Sequence, residues 1–265
     1  MTQYSKLIEK VIEAGDMAAE NQKSVRRNFK PDGSVLTETD LAIDQLLSDT
    51  LKELFPDANI VSEENPRDLF PDRKLTFALD PIDGTDAYSQ GMPGWCVALG
   101  ILNEQLIPVG GIIYAPRWGT DRERGVLLTA LPDQEVRYNG SPLKMDADAK
   151  RQKQCLQMMI SSKLHRTFDL SLYPGKLRSI GSSILHLTAL LLHPGVTEVL
   201  LAPCFIWDIA AAHAIIERKG FQVSYLNGKA IDYSVLIHRK KAAGHIVAGT
   251  NDSISALRSY FTEKQ

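Results

Sequence analysis

The sequence predicts an α/β protein, with an α+β N-terminal half over residues 1–145 and an α/β C-terminal half over 146–265. Three observations predict it. Two segments with helical spacing of apolar residues open the chain, and a run of short apolar segments with strand character follows them. After residue 155 such strands alternate with helical segments. Between the two regimes lies "KMDADAKRQKQ", residues 144–154, a polar and charged stretch with the composition of a boundary between halves.

The elements follow in order. Leu7, Ile8, Val11, Ile12 and Ala18 mark a first amphipathic helix over residues 3–21. "KPDGSVLTETD" reads as a turn with a short extended segment, and Leu41, Ile43, Leu46, Leu47 and Leu51 mark a second helix over residues 40–54, ended by Pro56-Asp57. "NIVSEE" is a short strand running into acids, and "LTFALD" is a strand that Asp80 closes. "WCVALGILNEQLIPVGGIIYAP" reads as two strands joined by a tight turn near Asn103-Glu104. "GVLLTA" and "EVRYNGSPL" add strand, with Asn139-Gly140 as a hairpin signal. In the second half "CLQMMIS", "VTEVLLA" and "FQVSYL" are strands. "SSILHLTALLLH" is a helix that Ser182 or Ser183 caps, "WDIAAAHAIIERKG" is one closed by Gly220, and "SISALRSYF" is the last.

Composition narrows the function. A net charge of −2 over 265 residues argues against a nucleic-acid binder held by a basic field and gives no sign of membrane-surface attachment. Three widely spaced cysteines, Cys96, Cys155 and Cys204, suit a reducing, cytoplasmic compartment better than a disulfide framework or a zinc knuckle. The N-terminus lacks the unbroken apolar region of a signal peptide, and the most apolar stretch, 184–206, is interrupted by His186, His193, Pro194-Gly195 and Glu198, so it is no membrane span.

"LDPIDGTDAY", residues 79–88, carries the chemistry. Asp80 ends a strand at the carboxyl edge of a sheet, Pro81 forces a turn, and Ile82 leaves a carbonyl free to point outward. Asp83 returns to the side of Asp80, Gly84 lets the backbone approach a ligand, and Thr85 starts a short helix. Two carboxylates this close repel unless a cation sits between them, and a hard oxygen donor set is what Mg²⁺ takes. Taken alone, Asp-Gly after a strand is as readily a plain turn. Glu63 and Glu64 end another strand and could reach the same edge, although paired glutamates are more often solvated surface. Asp208 precedes an apolar helix; a dipole-complementing acid is the plain reading there, but its apolar surroundings demand a partner and no base is near in sequence. A haloacid-dehalogenase-like phosphatase would space its two aspartates two apart rather than three.

The ordered set "TETD", "IVSEE", "DPIDGT", "GSS" and "WDIAAAHAIIERKG" resembles the inositol monophosphatase superfamily along nearly the whole chain. The resemblance implies a layered αβαβα sandwich of the inositol monophosphatase and fructose-1,6-bisphosphatase type. It also implies a lithium-sensitive phosphomonoesterase using two to three Mg²⁺ ions. Carried over by position, Glu63 binds one ion and helps orient the attacking water, Asp80 bridges two ions, and Ile82 gives its carbonyl. Asp83 and Asp208 complete the second ion's site. Thr85 activates the water with Glu63, the N–H groups of Gly84 and Thr85 hold phosphate, and Asp40 lies near a weaker third ion. Asp86, Gly181, Ser182 and Asp208 are the positions expected to face the rest of the substrate. The implied substrate is a small phosphorylated polyol, first of all inositol monophosphate, with a 3′(2′),5′-bisphosphate nucleotidase or a fructose-1,6-bisphosphatase as alternatives. A catalytically silent regulator on the same fold is a third reading. The resemblance also implies a homodimer.

Such chemistry needs no histidine, so His165, His186, His193, His213 and His245 are read as structural, His213 as packed or hydrogen-bonded in its helix. Two departures bear on the substrate. Asp86-Ala87-Tyr88 replaces the Thr-Asn-Phe of many inositol-specific members, so a dianionic substrate would need Asp86 screened. The position where those members place a glutamate for ring hydroxyls is Leu201.

Overall fold

The structure, a computed structural model, describes residues 2–119, 125–144 and 156–261. Helix α1 (Gln3–Asn21) begins at an N-cap Thr2 and α2 (Glu38–Leu54) at Thr37. The second helix starts two residues before the position expected from its apolar spacing. The reason is "TETD": the Thr37 hydroxyl takes the Asp40 N–H while the Asp40 carboxylate takes the Thr37 N–H, a reciprocal cap. A hairpin of β1 (Asn28–Phe29) and β2 (Val35–Leu36) joins the two helices.

Seven strands form the first sheet: β3 (Ala58–Ser62), β4 (Leu75–Asp83), β5 (Cys96–Leu102), β6 (Pro108–Ala115), β7 (Val126–Ala130), β8 (Arg137–Tyr138) and β9 (Ser141–Pro142), in spatial order of sequence. Only β3 and β4 run parallel; every other neighbour is antiparallel. The hairpin at Asn139-Gly140 stands as expected, both residues at positive φ (47° and 80°). The turn after β5 is longer than expected, residues 103–107, and the Asn103 side chain accepts the N–H groups of Gln105 and Ile107.

The second half builds a five-stranded sheet in the order β11 (Lys176–Arg178), β10 (Gln157–Ile160), β12 (Val196–Leu201), β14 (Ile246–Gly249), β13 (Gln222–Tyr225). Its four pairings are mixed: β10 runs parallel to β11 and β12, and β14 runs antiparallel to both its neighbours. Helix α4 (Ser183–Leu192) follows β11, α5 (Ala210–Glu217) follows β12, the short α6 (Tyr233–Leu236) precedes β14, and α7 (Asn251–Tyr260) ends the described chain. Inner strand β14 and edge strand β11 were not expected; at three or four residues each, neither leaves a readable alternation. The expected boundary at 144–154 falls, except for Lys144, outside the described residues.

Alternation along the strands sets the layers. Phe77 and Leu79 of β4 face α1 and α2 with Leu7, Val11, Ile43 and Leu47. Ala78 between them faces the other way, into a core with Leu187 of α4 and Ile215 of α5. Val199 and Leu201 of β12 close that core from the second sheet, while Leu200 points outward to Ile254 and Leu257 of α7. The order is helices, sheet, helices, sheet, helix: the αβαβα sandwich. Contact across the middle is tight. A Cβ on Gly100 would lie 2.7 Å from the Ala210 Cβ, and one on Gly111 would lie 2.4 Å from the Ala211 carbonyl oxygen.

Candidate active site

Strand β4 carries the motif further than the sequence suggests. Asp80 does not end it: Pro81 lacks an N–H, the pairing with β5 slips between Asp80 and Asp83, and the strand resumes with Asp83 opposite Cys96. The slip puts both aspartates on one side. Gly84 then turns the chain at φ 96°, where a Cβ would also meet the Gly94 carbonyl oxygen at 2.8 Å, and the short helix α3 (Thr85–Ser89) follows as expected.

Asp80, Asp83 and Asp208 meet here. One carboxylate oxygen from each lies within 4.8 Å of the others, although two come from the first sheet and one from the segment leading into α5. Asp80 is buried, and neither of its oxygens has a hydrogen-bond partner among the described residues. Burial first, then Glu63, Asp83, Asp208 and Asp40, drive its pKa well above the ordinary carboxylate value. Burial and the charges of Asp83 and Glu63 do the same to Asp208. Asp83 is raised less, to about 6, because its burial is offset by hydrogen bonds from the Ser182 hydroxyl and from the N–H groups of Ile184 and Ser183. Three clustered carboxylates, of which the buried Asp80 has no hydrogen-bond partner among the described residues, offer the hard oxygen donors that suit a divalent cation such as Mg²⁺.

The remaining expected residues fall into place less simply. Asp208 does not open a helix: its Oδ2 accepts the Phe205 N–H at 2.6 Å, one turn before α5 begins at Ala210. Glu63 does not join the aspartate trio directly; its Oε1 is 2.8 Å from the Lys30 ammonium, which also holds Glu64 at 2.8 Å. Asp40 is fully buried, and its Oδ1 takes the Thr85 hydroxyl at 3.0 Å, so Thr85 is paired with Asp40 rather than with Glu63. The same hydroxyl lies 2.8 Å from the Ile82 carbonyl, which keeps a second lone pair. Burial lifts the Asp40 pKa to about 6 against the pull of Thr37 and Thr85.

Among the substrate-facing positions, Ser182 is fully buried, caps α4 by accepting the Leu185 N–H and donates to Asp83, so its side chain serves the site from behind. Gly181 precedes it at φ 100°. Asp86 is exposed and needs no metal to screen it: Arg27 pairs with it at 2.5 Å. Leu201 is buried in the core of β12 and presents nothing to a ligand. His213 is a hydrogen-bonded core residue, Nδ1 2.7 Å from the Tyr233 hydroxyl, and the His186 Nε2 accepts the Ile180 N–H. Cys96 and Cys204 are buried free thiols.

Three contributors went unread in the sequence. Lys30 sits in a loop 33 positions from Glu63. Asp44, buried on α2, accepts hydrogen bonds from Ser62 and Asn65 on either side of the glutamates. Arg239 donates to the carbonyls of Ser62 and Glu63 from 176 or more positions away. None has a local signature; each is one charged residue among many until the fold sets it beside the acids.

The fold is an αβαβα sandwich, and its site is a cluster of three carboxylates that could hold a metal ion. Residues 2–259 match the inositol monophosphatase family, and the chain belongs to it. Among curated proteins it is similar to the 3′(2′),5′-bisphosphate nucleotidase CysQ of Buchnera aphidicola subsp. Acyrthosiphon pisum, 27% identical over 228 residues, covering 81% of this chain and 80% of that one. It is also similar to the Nus factor SuhB of Salmonella typhimurium, 25% identical over 258 residues, covering 92% and 90%. Among solved structures, an IMPase/NADP phosphatase complexed with Mg²⁺ and phosphate superposes with a TM-score of 0.79 at 18% identity, covering 99% and 97% of the two chains. That likeness shows the fold. No helix of the described residues is long and apolar enough to cross a membrane.

Proposed function

We propose that this protein hydrolyses a small phosphate monoester with the help of Mg²⁺. One observation carries the reading: the buried Asp80 carboxylate, with both oxygens unmatched, beside Asp83 and Asp208. Asp80, Asp83, Asp208 and the Ile82 carbonyl would hold the metal, with Glu63, paired here with Lys30, available from the loop after β3. Bound Mg²⁺ supplies an acidified water and charge neutralisation for phosphoryl transfer.

The chain's own groups do the rest. The Thr85 hydroxyl has one hydrogen for two acceptors, so it can give that hydrogen to Asp40 while accepting one from a water. Gly84 supplies the left-handed turn at φ 96°, and the main-chain N–H groups of Gly84 and Thr85 would hold the phosphate. Asp83, fixed by three hydrogen bonds on the α4 terminus, keeps its orientation without help from substrate.

For the substrate, the family's name suggests an inositol monophosphate. Two features favour a 3′(2′),5′-bisphosphorylated nucleotide instead. The Leu201 side chain is withdrawn into the core where a hydroxyl reader is needed. The residue bonded to Asp208 is Phe205, whose ring stacks on Trp207 (centroids 4.7 Å apart, planes at 16°) beneath the Lys241 ammonium at 5.2 Å. The Lys241 cation held there suits a second phosphate better than a bare polyol. The test is phosphate release from inositol 1-phosphate, fructose 1,6-bisphosphate and adenosine 3′,5′-bisphosphate, with and without Mg²⁺. Mg²⁺-dependent turnover led by the adenosine bisphosphate is expected. A lead for inositol 1-phosphate would overturn the nucleotide reading, and no release from any of them at millimolar Mg²⁺ would favour a silent regulator.

A further inference from the structure

Arg239 joins the two halves at the mouth of the site. It lies on the C-terminal side, between α6 and β14, yet its Nη1 donates to the Ser62 carbonyl and its Nη2 to the Glu63 carbonyl at 2.8 Å. Its Cζ lies 4.9 Å from the centre of the Trp207 ring, the residue before Asp208. One planar cation thus touches the backbone of Glu63 on one side and the neighbour of Asp208 on the other. The backbone pays for this placement with φ 58°, a region that a residue with a side chain seldom enters unless its surroundings hold it there. From the first half, Asp44 grips the same loop through the Ser62 hydroxyl and Asn65. The loop bearing Glu63 is therefore clamped between a carboxylate below and a guanidinium above.

We propose that Arg239 is a positioning residue for metal binding: it fixes the Glu63 segment relative to Trp207-Asp208, and so sets the affinity of the site for Mg²⁺. The proposal rests on the reading of the carboxylates as a Mg²⁺ site. Its physical basis is the fork. Two parallel N–H groups satisfy two successive carbonyls while the flat face rests on an indole, and an ammonium group cannot do all three at once. Groups that orient ligands without touching the metal typically change metal affinity by about 10–100-fold when removed.

The experiment measures Mg²⁺ binding to metal-free protein by isothermal titration calorimetry for wild type, Arg239→Ala, Arg239→Lys and, as a control for charge alone, Lys240→Ala, an exposed neighbour. Melting temperatures in EDTA and phosphate release against Mg²⁺ concentration accompany it. Arg239→Ala should weaken Mg²⁺ binding about 10–100-fold, recover most of its kcat at saturating Mg²⁺ and leave the substrate KM little changed. Arg239→Lys should fall between the two, and Lys240→Ala should match wild type. A lower melting temperature with an unchanged Mg²⁺ Kd in Arg239→Ala would overturn the proposal by making the residue merely structural. Equal weakening in Lys240→Ala would overturn it by making the effect one of net charge. If Arg239→Ala does not fold, a wild-type Kd in Arg239→Lys overturns it equally. Wild type that binds no Mg²⁺ would instead sink the metal reading on which the proposal stands.

Discussion

Replacing Asp40 with asparagine separates the charge of this residue from its hydrogen bonds. Burial raises its pKa from 3.8 to about 6 even after the help of Thr37 and Thr85. By linkage that difference corresponds to roughly 3 kcal/mol between the two protonation states. The sign follows from the direction. Because the folded-state pKa is the higher one, the stability contributed by the protonated carboxyl is full below pH 3.8 and lost as pH rises through about 6. An asparagine keeps the geometry: its Oδ1 can take the Thr37 N–H and hydroxyl, and its Nδ2 can donate to Thr85, whose own hydrogen then goes to Ile82 alone. The weaker neutral cap costs about 1 kcal/mol. Metal-free Asp40→Asn should therefore be more stable than wild type by about 2 kcal/mol at pH 8, roughly 4–8 °C in Tm, and slightly less stable near pH 4. Thermal unfolding in EDTA at both pH values measures this. Turnover should fall by about 10²–10⁴-fold, since Thr85 can no longer pass a proton onward. A stability offset of the same sign and size at pH 4 and pH 8 would refute the electrostatic account, and unimpaired turnover would refute the relay.

Asp80→Asn should raise the melting temperature of the metal-free protein, since it removes a buried charge from among its like, while abolishing both turnover and the rise in melting temperature that Mg²⁺ gives the wild type; calorimetric scans with and without Mg²⁺ show both. Ser182→Ala removes the α4 cap and a hydrogen bond to a buried carboxylate, a loss of about 3 kcal/mol, roughly 6–12 °C in Tm, and it should move the acid limb of the pH–rate profile upward, because Asp83 loses a bond that holds its pKa down.

What could be read from the sequence followed from periodicity and punctuation. The first helix was legible to the residue because its apolar stripe is long and Asn21 ends it; the hairpin at Asn139-Gly140 was legible because few other pairs accept two positive φ values. The aspartates of "DPIDGT" were legible as a candidate cation site because their mutual repulsion can be argued from three residues of spacing, and the structure brings them together with Asp208. Strand β14 was not legible: buried on both faces between β12 and β13, Ile246–Gly249 shows no alternation. The strand through Pro81 was missed because a proline there reads as a stop, whereas a slip in pairing with β5 absorbs it. The partners of the acids were missed for a different reason. Thr85 could be assigned a hydroxyl role from its place after Gly84, but that it faces Asp40 depends on how α2 lies against β4, and that Lys30 and Arg239 reach Glu63 depends on contacts across 33 and 176 positions. Charged side chains carry no period that announces whom they will meet.

The near-touching glycines and alanines in the middle of the sandwich have a consequence for catalysis well outside the pocket. Asp80 is anchored in one sheet, while Asp208 hangs from the segment that enters α5, so the gap between them is gauged by how closely that helix seats on β5 and β6. Gly100 and Gly111 allow that seating with no methyl to spare. They act as the calibration of an aperture: a single added carbon there, far from any phosphate, would wedge the helix outward and spread the carboxylates that an ion must span.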